Sequence, residues 1–466
     1  VHRHAMERIT LGQALLSDMP SDEYDAGDWD RTRTLLLDRI DEIERASAPL
    51  DAQAVWDQVR PLIDGARAGL DGYPPHHKHR ARLGELHERF AEAVSALTVE
   101  LQMVAVVAPG ANMRRTGVYH TEAVRELSGV RWIHEAGGRI RGQPAVHLDT
   151  LYYAEAGRYR WDPSYVYAVD LESRATKWKL EAPTRCRSIT LVGRRLYASY
   201  SDVGSSSYLC AVNTRTGRQE WVFRSPHGSG DTLSHPAVDD TNVYVADRGG
   251  NLYALDAASG KEKWRFKGEP MTIDAAPTPS LADGVVYLPG SHHLYAIDAS
   301  TGTEKWRLNE SVADGMVAVD EDMIYFCQRG VRAFSIRERK YVWRFEPDDR
   351  EGSFRGCPAV ADGMVFARDA RSVYALDAAT GELDWRFDMD QPIDWKVSPI
   401  VADSVVYIGT DRAQTGSQES YLYAIDAGTG VDLWSFPVKT RFYGSPPVVH
   451  EGVVYFSSAQ RLYALH

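Results

Sequence analysis

Tryptophans at 178, 221, 264, 306, 343, 385 and 434 punctuate this 466-residue chain, and the spacings between them are 43, 43, 42, 37, 42 and 49 residues. Each closes a copy of one short segment: AVDLESRATKW (168–178), AVNTRTGRQEW (211–221), ALDAASGKEKW (254–264) and AIDASTGTEKW (296–306). AFSIRERKYVW (333–343), ALDAATGELDW (375–385) and AIDAGTGVDLW (424–434) follow. Alternating apolar runs such as VVYLPGSHHLY (285–295) and VVYIG (405–409) come before them. A period near 43 with several short strands per unit predicts a β-propeller, because a single unit cannot bury its own faces and the next must cover them.

Within one unit, Leu252 to Asp256 reads as a strand whose alternate side chains face opposite sides. Asp256 is placed to hydrogen-bond the backbone of the turn that follows, and Gly260 to supply the positive φ of a tight hairpin. Trp264 then falls on the outer strand, packed against the neighbouring blade, with the small Ala254 leaving room for its ring. The last unit, Pro447 to His466, stops before its tryptophan. Trp132, in Gly129 to Ile133, lies 46 residues before Trp178 and is in register with the series. It completes an eighth blade, so the ring closes by pairing N-terminal with C-terminal strands, which removes the exposed edges.

The segments resemble the tryptophan-docking repeats of the quinoprotein-like (PQQ-like) propeller superfamily, with the pattern Ala-x-Asp-x-x-x-Gly-x-x-x-Trp over roughly residues 129–466. The resemblance implies a mainly β, eight-bladed propeller of four-stranded blades. It does not fix a function, since the superfamily holds quinone-dependent alcohol dehydrogenases, an outer-membrane assembly lipoprotein, and sensor or scaffold propellers. Two units depart from the pattern: Ser173-Arg174 stands where the first should have its glycine, and Ser335 replaces the aspartate of the fifth. Different turns are expected there.

The dehydrogenases of the superfamily carry a vicinal disulfide, a Ca²⁺ held by acidic and amide side chains, and a catalytic Asp. This chain has four cysteines (186, 210, 327 and 357), none adjacent and none in a CxxC, and its units are too short for the insertions that build such sites. No GxSxG, HExxH or P-loop stands in a meaningful context. Asp274 and Cys357 read as blade-turn residues. The expectation is a protein with no catalytic residues, no cofactor and no metal. His292-His293 does not change this, because neighbours on a strand point to opposite faces.

The loops from each outer strand to the next inner strand line the channel mouth, and the middle-strand loops share that face. Arg139 and Arg141 lead into the first unit, Arg185 and Arg187 into the second, Arg355 into the sixth, Lys396 into the seventh and Arg441 into the eighth. Units three to five carry Asp231, Asp274 and Asp314 instead. The mouth is therefore expected to be a dipole, with a basic arc over units six to two. The middle-strand loops are longest in units one, two and seven, and long loops on a rigid scaffold concentrate binding residues. Trp161, Trp395, Phe442 and Tyr443 add aromatics to the arc, the Arg/aromatic mixture of interaction hot spots. This face is expected to bind an acidic protein segment or an anionic ligand. The alternative is that these arginines are solvated or paired with neighbouring carboxylates.

Residues 1–117 hold no repeat and read as a helical bundle, ahead of the propeller at 118–466. Leu36, Leu37, Ile40 and Ile43 form one apolar stripe. Leu83, Leu86, Phe90, Val94, Leu97, Leu101 and Val104 form another, near-heptad stripe. The bundle is either a cap or a docking and oligomerisation module, and Pro74 to His79 is a metal-tract pattern better read as a solvated helix start. The net charge of −12 argues against nucleic acid as partner. No apolar run reaches the length of a membrane span. Few cysteines and no apolar leader in the first 20 residues lead to the expectation of a cytoplasmic protein. The function expected is a non-enzymatic scaffold with a protein partner; the alternative is a sensor or enzyme that binds a small anion or quinone in the axial funnel. The 12 Trp and 24 Tyr therefore report architecture first, eight of the Trp being blade staples.

Overall fold

Every repeat tryptophan lies on the outermost of four antiparallel strands that make one blade, two of the blades carrying a fifth, inner strand. The computed structural model describes residues 106–107, 111–156, 162–182, 184–201, 207–226, 232–271, 276–347, 354–390, 397–410, 419–439 and 445–466. These form eight sheets, seven of which run in chain order from inner to outer strand. The first blade is Arg139–His147, Thr150–Ala156, Ser164–Asp170 and Thr176–Ala182. The eighth is composite: Val448–His450, Val453–Ser458 and Arg461–Leu465 are completed by Val130–Glu135, with Trp132 opposite Ala464. Inner strands of adjacent blades touch around the ring, including those of blades eight and one. The described residues contain one 3₁₀ turn, Ala313–Gly315, and no α-helix; the helical bundle expected at residues 1–117 lies outside them apart from residues 106–107 and 111–117.

The repeat motif is explained by contacts across the blade boundary. Asp256 Oδ1 accepts the Ser259 N–H at 2.9 Å and the Ser259 hydroxyl at 2.7 Å, and the Gly260 N–H returns to the Asp256 carbonyl at 2.8 Å. Gly260 has φ +69°, and a Cβ there would lie 2.5 Å from the indole of Trp221 in the preceding blade. Gly217, Gly302, Gly381 and Gly430 repeat this against Trp178, Trp264, Trp343 and Trp385. The motif glycine thus meets a steric demand as well as a torsional one. The indole N–H completes the joint: Trp264 donates to the Ala299 carbonyl, next to the motif aspartate of the following blade, at 3.1 Å. Ala254 pairs with Trp264, and the strand beside it supplies Tyr244, whose ring centroid is 5.7 Å from that of the indole.

The two departing units keep the same turn, contrary to the sequence expectation. Arg174 and Arg339 take up φ +61° and +55°, and their N–H groups return to Asp170 and Ser335 at 2.9 and 3.0 Å. Ser335 Oγ accepts the Glu338 N–H at 3.0 Å, as the aspartate would. Arg339 lays its guanidinium over the Trp306 ring, 4.2 Å from the centroid, so an extended side chain covers the indole against which other blades pack a glycine. In the eighth blade no hairpin joins the third strand to the fourth, and Trp434 donates instead to the Val124 carbonyl at 2.7 Å.

Residues 106–107 and 111–121 follow the inner edge of the ring. Val106–Val107 adds a strand to the second blade, and Val118–Tyr119 pairs parallel with the seventh. Between them, inner-strand N–H groups of blades four, five, six and seven donate in order to the carbonyls of Met113, Arg114, Thr116 and Gly117 at 2.7–2.8 Å.

Candidate functional site

Four antiparallel strands per blade put the outer-to-inner connections and the middle-strand loops on one face, here the loop face, and the two hairpin turns on the other. Arg139 opens the first blade's inner strand, exposed and in register with Ala156, and Arg141 in the same strand is in register with Ala154. Arg185 and Arg187 enter the second blade and converge on one residue. The Arg185 carbonyl accepts the Ser201 N–H at 3.0 Å, and Arg187 Nε donates to Ser201 Oγ at 2.9 Å. The Arg187 carbonyl lies 3.2 Å from where a Cβ on Gly142 would stand, so the basic entries of blades one and two adjoin.

Arg355 behaves differently. Its Nη1 is 3.3 Å from Asp314 Oδ1, while Asp314 Oδ2 accepts the Gly356 N–H at 2.7 Å. Asp314 belongs to the acidic arc, so at the join of blades five and six the two arcs neutralise each other instead of standing apart. The Asp314 side chain is only 6% exposed and its φ is +56°, which holds it as an anchor under the loop. Trp161, Trp395, Lys396, Arg441 and Tyr443, with Asp231 and Asp274, lie outside the described residues.

A buried polar group on the axis escaped the sequence reading. Arg115 is fully buried, and its guanidinium donates to the carbonyls of Pro236 at 3.0 Å and Pro279 at 3.3 Å. Burial brings it down to about 10, so it keeps its charge at neutral pH. Half-buried His235 is pushed down to about 3 by loss of water and then by that charge, which makes its imidazole neutral at pH 7. At blades one and eight, Gln143 Nε2 donates to the Tyr119 hydroxyl at 2.8 Å and to the Pro447 carbonyl at 3.2 Å, while Gln143 Oε1 has no protein partner. Arg115 and Tyr119 sit in a non-repeating stretch; the carbonyl partners of Arg115 are 121 and 164 residues away, while Gln143 is 24 residues from Tyr119.

A metal and quinone pair needs acidic ligands gathered on the axis and a disulfide over the ring. All four cysteines are buried and unpaired, and among the described residues no three His, Cys, Asp or Glu side chains converge on a metal-sized site. Glu269 pairs with both neighbouring histidines, His293 Nδ1 at 2.8 Å and His292 Nδ1 at 3.7 Å, and also accepts the His292 N–H at 3.0 Å. The described residues do not fit that pair.

Comparison with known proteins agrees with the architecture. Tetrathionate hydrolase of Acidithiobacillus ferrooxidans is 21% identical over 69% of this chain and 64% of its own length. Outer membrane protein assembly factor BamB of Yersinia pestis is 28% identical over 52% of this chain and 67% of its own. This chain thus spans about two thirds of these relatives. A europium-containing methanol dehydrogenase superposes with TM-score 0.59 at 14% identity over 77% of this chain and 97% of its own, a likeness of fold. Residues 205–329 and 290–466 match the family described as outer membrane protein assembly factor BamB. With the eight tryptophan-stapled blades, that match places the chain in the PQQ-like propeller family that carries this description.

Proposed function

We propose that this propeller is a non-enzymatic protein-interaction scaffold whose loop face, over blades six, seven, eight, one and two, receives an acidic segment of a protein partner. The observation that carries the reading is the junction of blades one and two, where exposed Arg139 and Arg187 stand on adjoining inner strands and Ser201 fixes the Arg187 guanidinium. A cation held on a rigid strand loses little freedom on binding, which is the economy an interaction site needs. Arg141, Arg185, Trp161, Trp395, Lys396, Arg441 and Tyr443 complete the proposed face. Arg355 contributes less, its charge being shared with Asp314. The assembly-factor relative supports a scaffold role by its name. The helical N-terminal region is proposed as a second docking module. The cytoplasm remains the proposed compartment, on the four buried thiols left unpaired.

The second reading, a sensor or enzyme with a small anion in the axial funnel, draws on the resemblance to tetrathionate hydrolase and on Arg115 near the axis. Affinity purification of the whole chain beside its Arg139→Glu/Arg187→Glu variant separates the two. A polypeptide held by the first and lost by the second supports the scaffold. Equal retention of every polypeptide by both overturns the proposed face.

A further inference from the structure

We propose that residues 111–121 are a closing strap, which seals the propeller axis at the hairpin-turn face and leaves the loop face as its single mouth. The inference is independent of the partner reading above. The acceptors Met113, Arg114, Thr116 and Gly117 take the N–H groups of Leu281, Val319, Val360 and Val401 in order, one blade after another. Each of these four donors stands two residues before a positive-φ turn residue, Asp283, Glu321, Asp362 or Asp403. The strap therefore runs beside the hairpin turns, opposite the loop face. Further contacts reach three more blades: Arg115 to Pro236 of the third, Tyr119 to Gln143 of the first, and Thr121 Oγ1 to the Glu451 N–H of the eighth at 2.9 Å.

Two features make this a separable device. The ring is already closed by Val130–Glu135 in the eighth blade, so the strap is a second closure. In blades four, five and six its backbone accepts one inner-strand hydrogen bond per blade rather than pairing as a strand. The other holds are side-chain contacts, Arg114 to Asp283 at 2.8 Å and Arg115 to Pro279 in blade four and Cys357 to Arg115 in blade six, so it can lift without dismantling a sheet. Its fit is tightest at Gly117, where φ is +76° and a Cβ would stand 2.6 Å from Ala359 Cβ. Beneath it lies the buried Cys357, whose Sγ is 3.4 Å from the Arg115 carbonyl.

The test is thiol labelling of the full chain with N-ethylmaleimide, read cysteine by cysteine by peptide mapping. Gly117→Val is expected to lift the strap and make Cys357 react at least about tenfold faster, while Cys186 and Cys210 keep their wild-type rates. Arg115→Ala, which leaves the glycine in place, is expected to do the same and serves if the valine variant does not fold. Wild-type labelling of Cys357 in both folded variants would overturn the proposal. So would acceleration of all four thiols together, since the strap would then be inseparable from the ring.

Discussion

Gly260 lies flat against the indole of Trp221 in the preceding blade, so close that a Cβ on it would come within 2.5 Å of the ring. The motif glycine and the tryptophan of the unit before it are one joint. Gly260→Ala is expected to cost about 2–4 kcal/mol, combining overpacking with the left-handed backbone of an alanine. Gly363→Ala, with φ +75° and nothing within 4 Å, bears the torsional part alone and should cost about 1 kcal/mol. Urea unfolding of the two variants checks this; equal costs would break the joint apart as an explanation.

Arg339 covers Trp306 where other blades have glycine. Arg339→Gly removes a strained φ but also a cation–π contact, each worth on the order of 1 kcal/mol. The expected change in stability is within about 1 kcal/mol of zero. A loss well beyond that in equilibrium unfolding would show that the fifth blade depends on the cation.

The Arg355–Asp314 contact is asymmetric. The arginine is largely exposed, so Arg355→Ala should cost less than about 1 kcal/mol. Asp314→Ala also strips the acceptor from the Gly356 N–H and should cost about 1–3 kcal/mol. A double-mutant cycle reads both, and equal single-mutant costs would contradict the anchoring role of the aspartate.

His147 and His450 end the inner strands of neighbouring blades, and both are depressed, first by burial. His147 falls to about 4, with His450 lowering it further and Asp149 opposing, while Glu451 faces His450. A depressed histidine stays neutral in the fold while the unfolded chain takes up its proton. Its contribution is therefore full above about pH 6.5 and is lost as pH falls toward 4. The loss at His147 is at most about 3 kcal/mol. His147→Asn should flatten stability against pH in that window, and parallel curves for variant and wild type would remove His147 as the cause.

The blade count and the staple tryptophans were legible in the sequence because each motif residue acts on the next unit, so its signal recurs at every period. Trp132 could be assigned to the eighth blade by spacing alone, and it pairs with Ala464 as the register required. The turns of the departing units were misread because a missing glycine does not reveal that Arg174 and Arg339 adopt its torsion. The strap left no periodic trace. Arg115 and Cys357 are 242 residues apart and meet only through closure of the ring. The Arg355–Asp314 pairing did leave a trace, since the two are 41 residues apart, close to one repeat, and so enter adjacent blades. Opposite charges at that spacing are placed to meet, which a reading of each arc by itself overlooks.

The most direct test of the scaffold account is the dissociation constant of the co-purified partner, measured for the wild type and for Arg139→Glu/Arg187→Glu at two ionic strengths. Arg344→Glu on an outer strand serves as control. Loss of two exposed charges from a steering face should weaken binding by at least about tenfold and reduce its salt dependence, with the control unchanged. An unchanged dissociation constant with the wild-type salt dependence would show that the partner docks elsewhere.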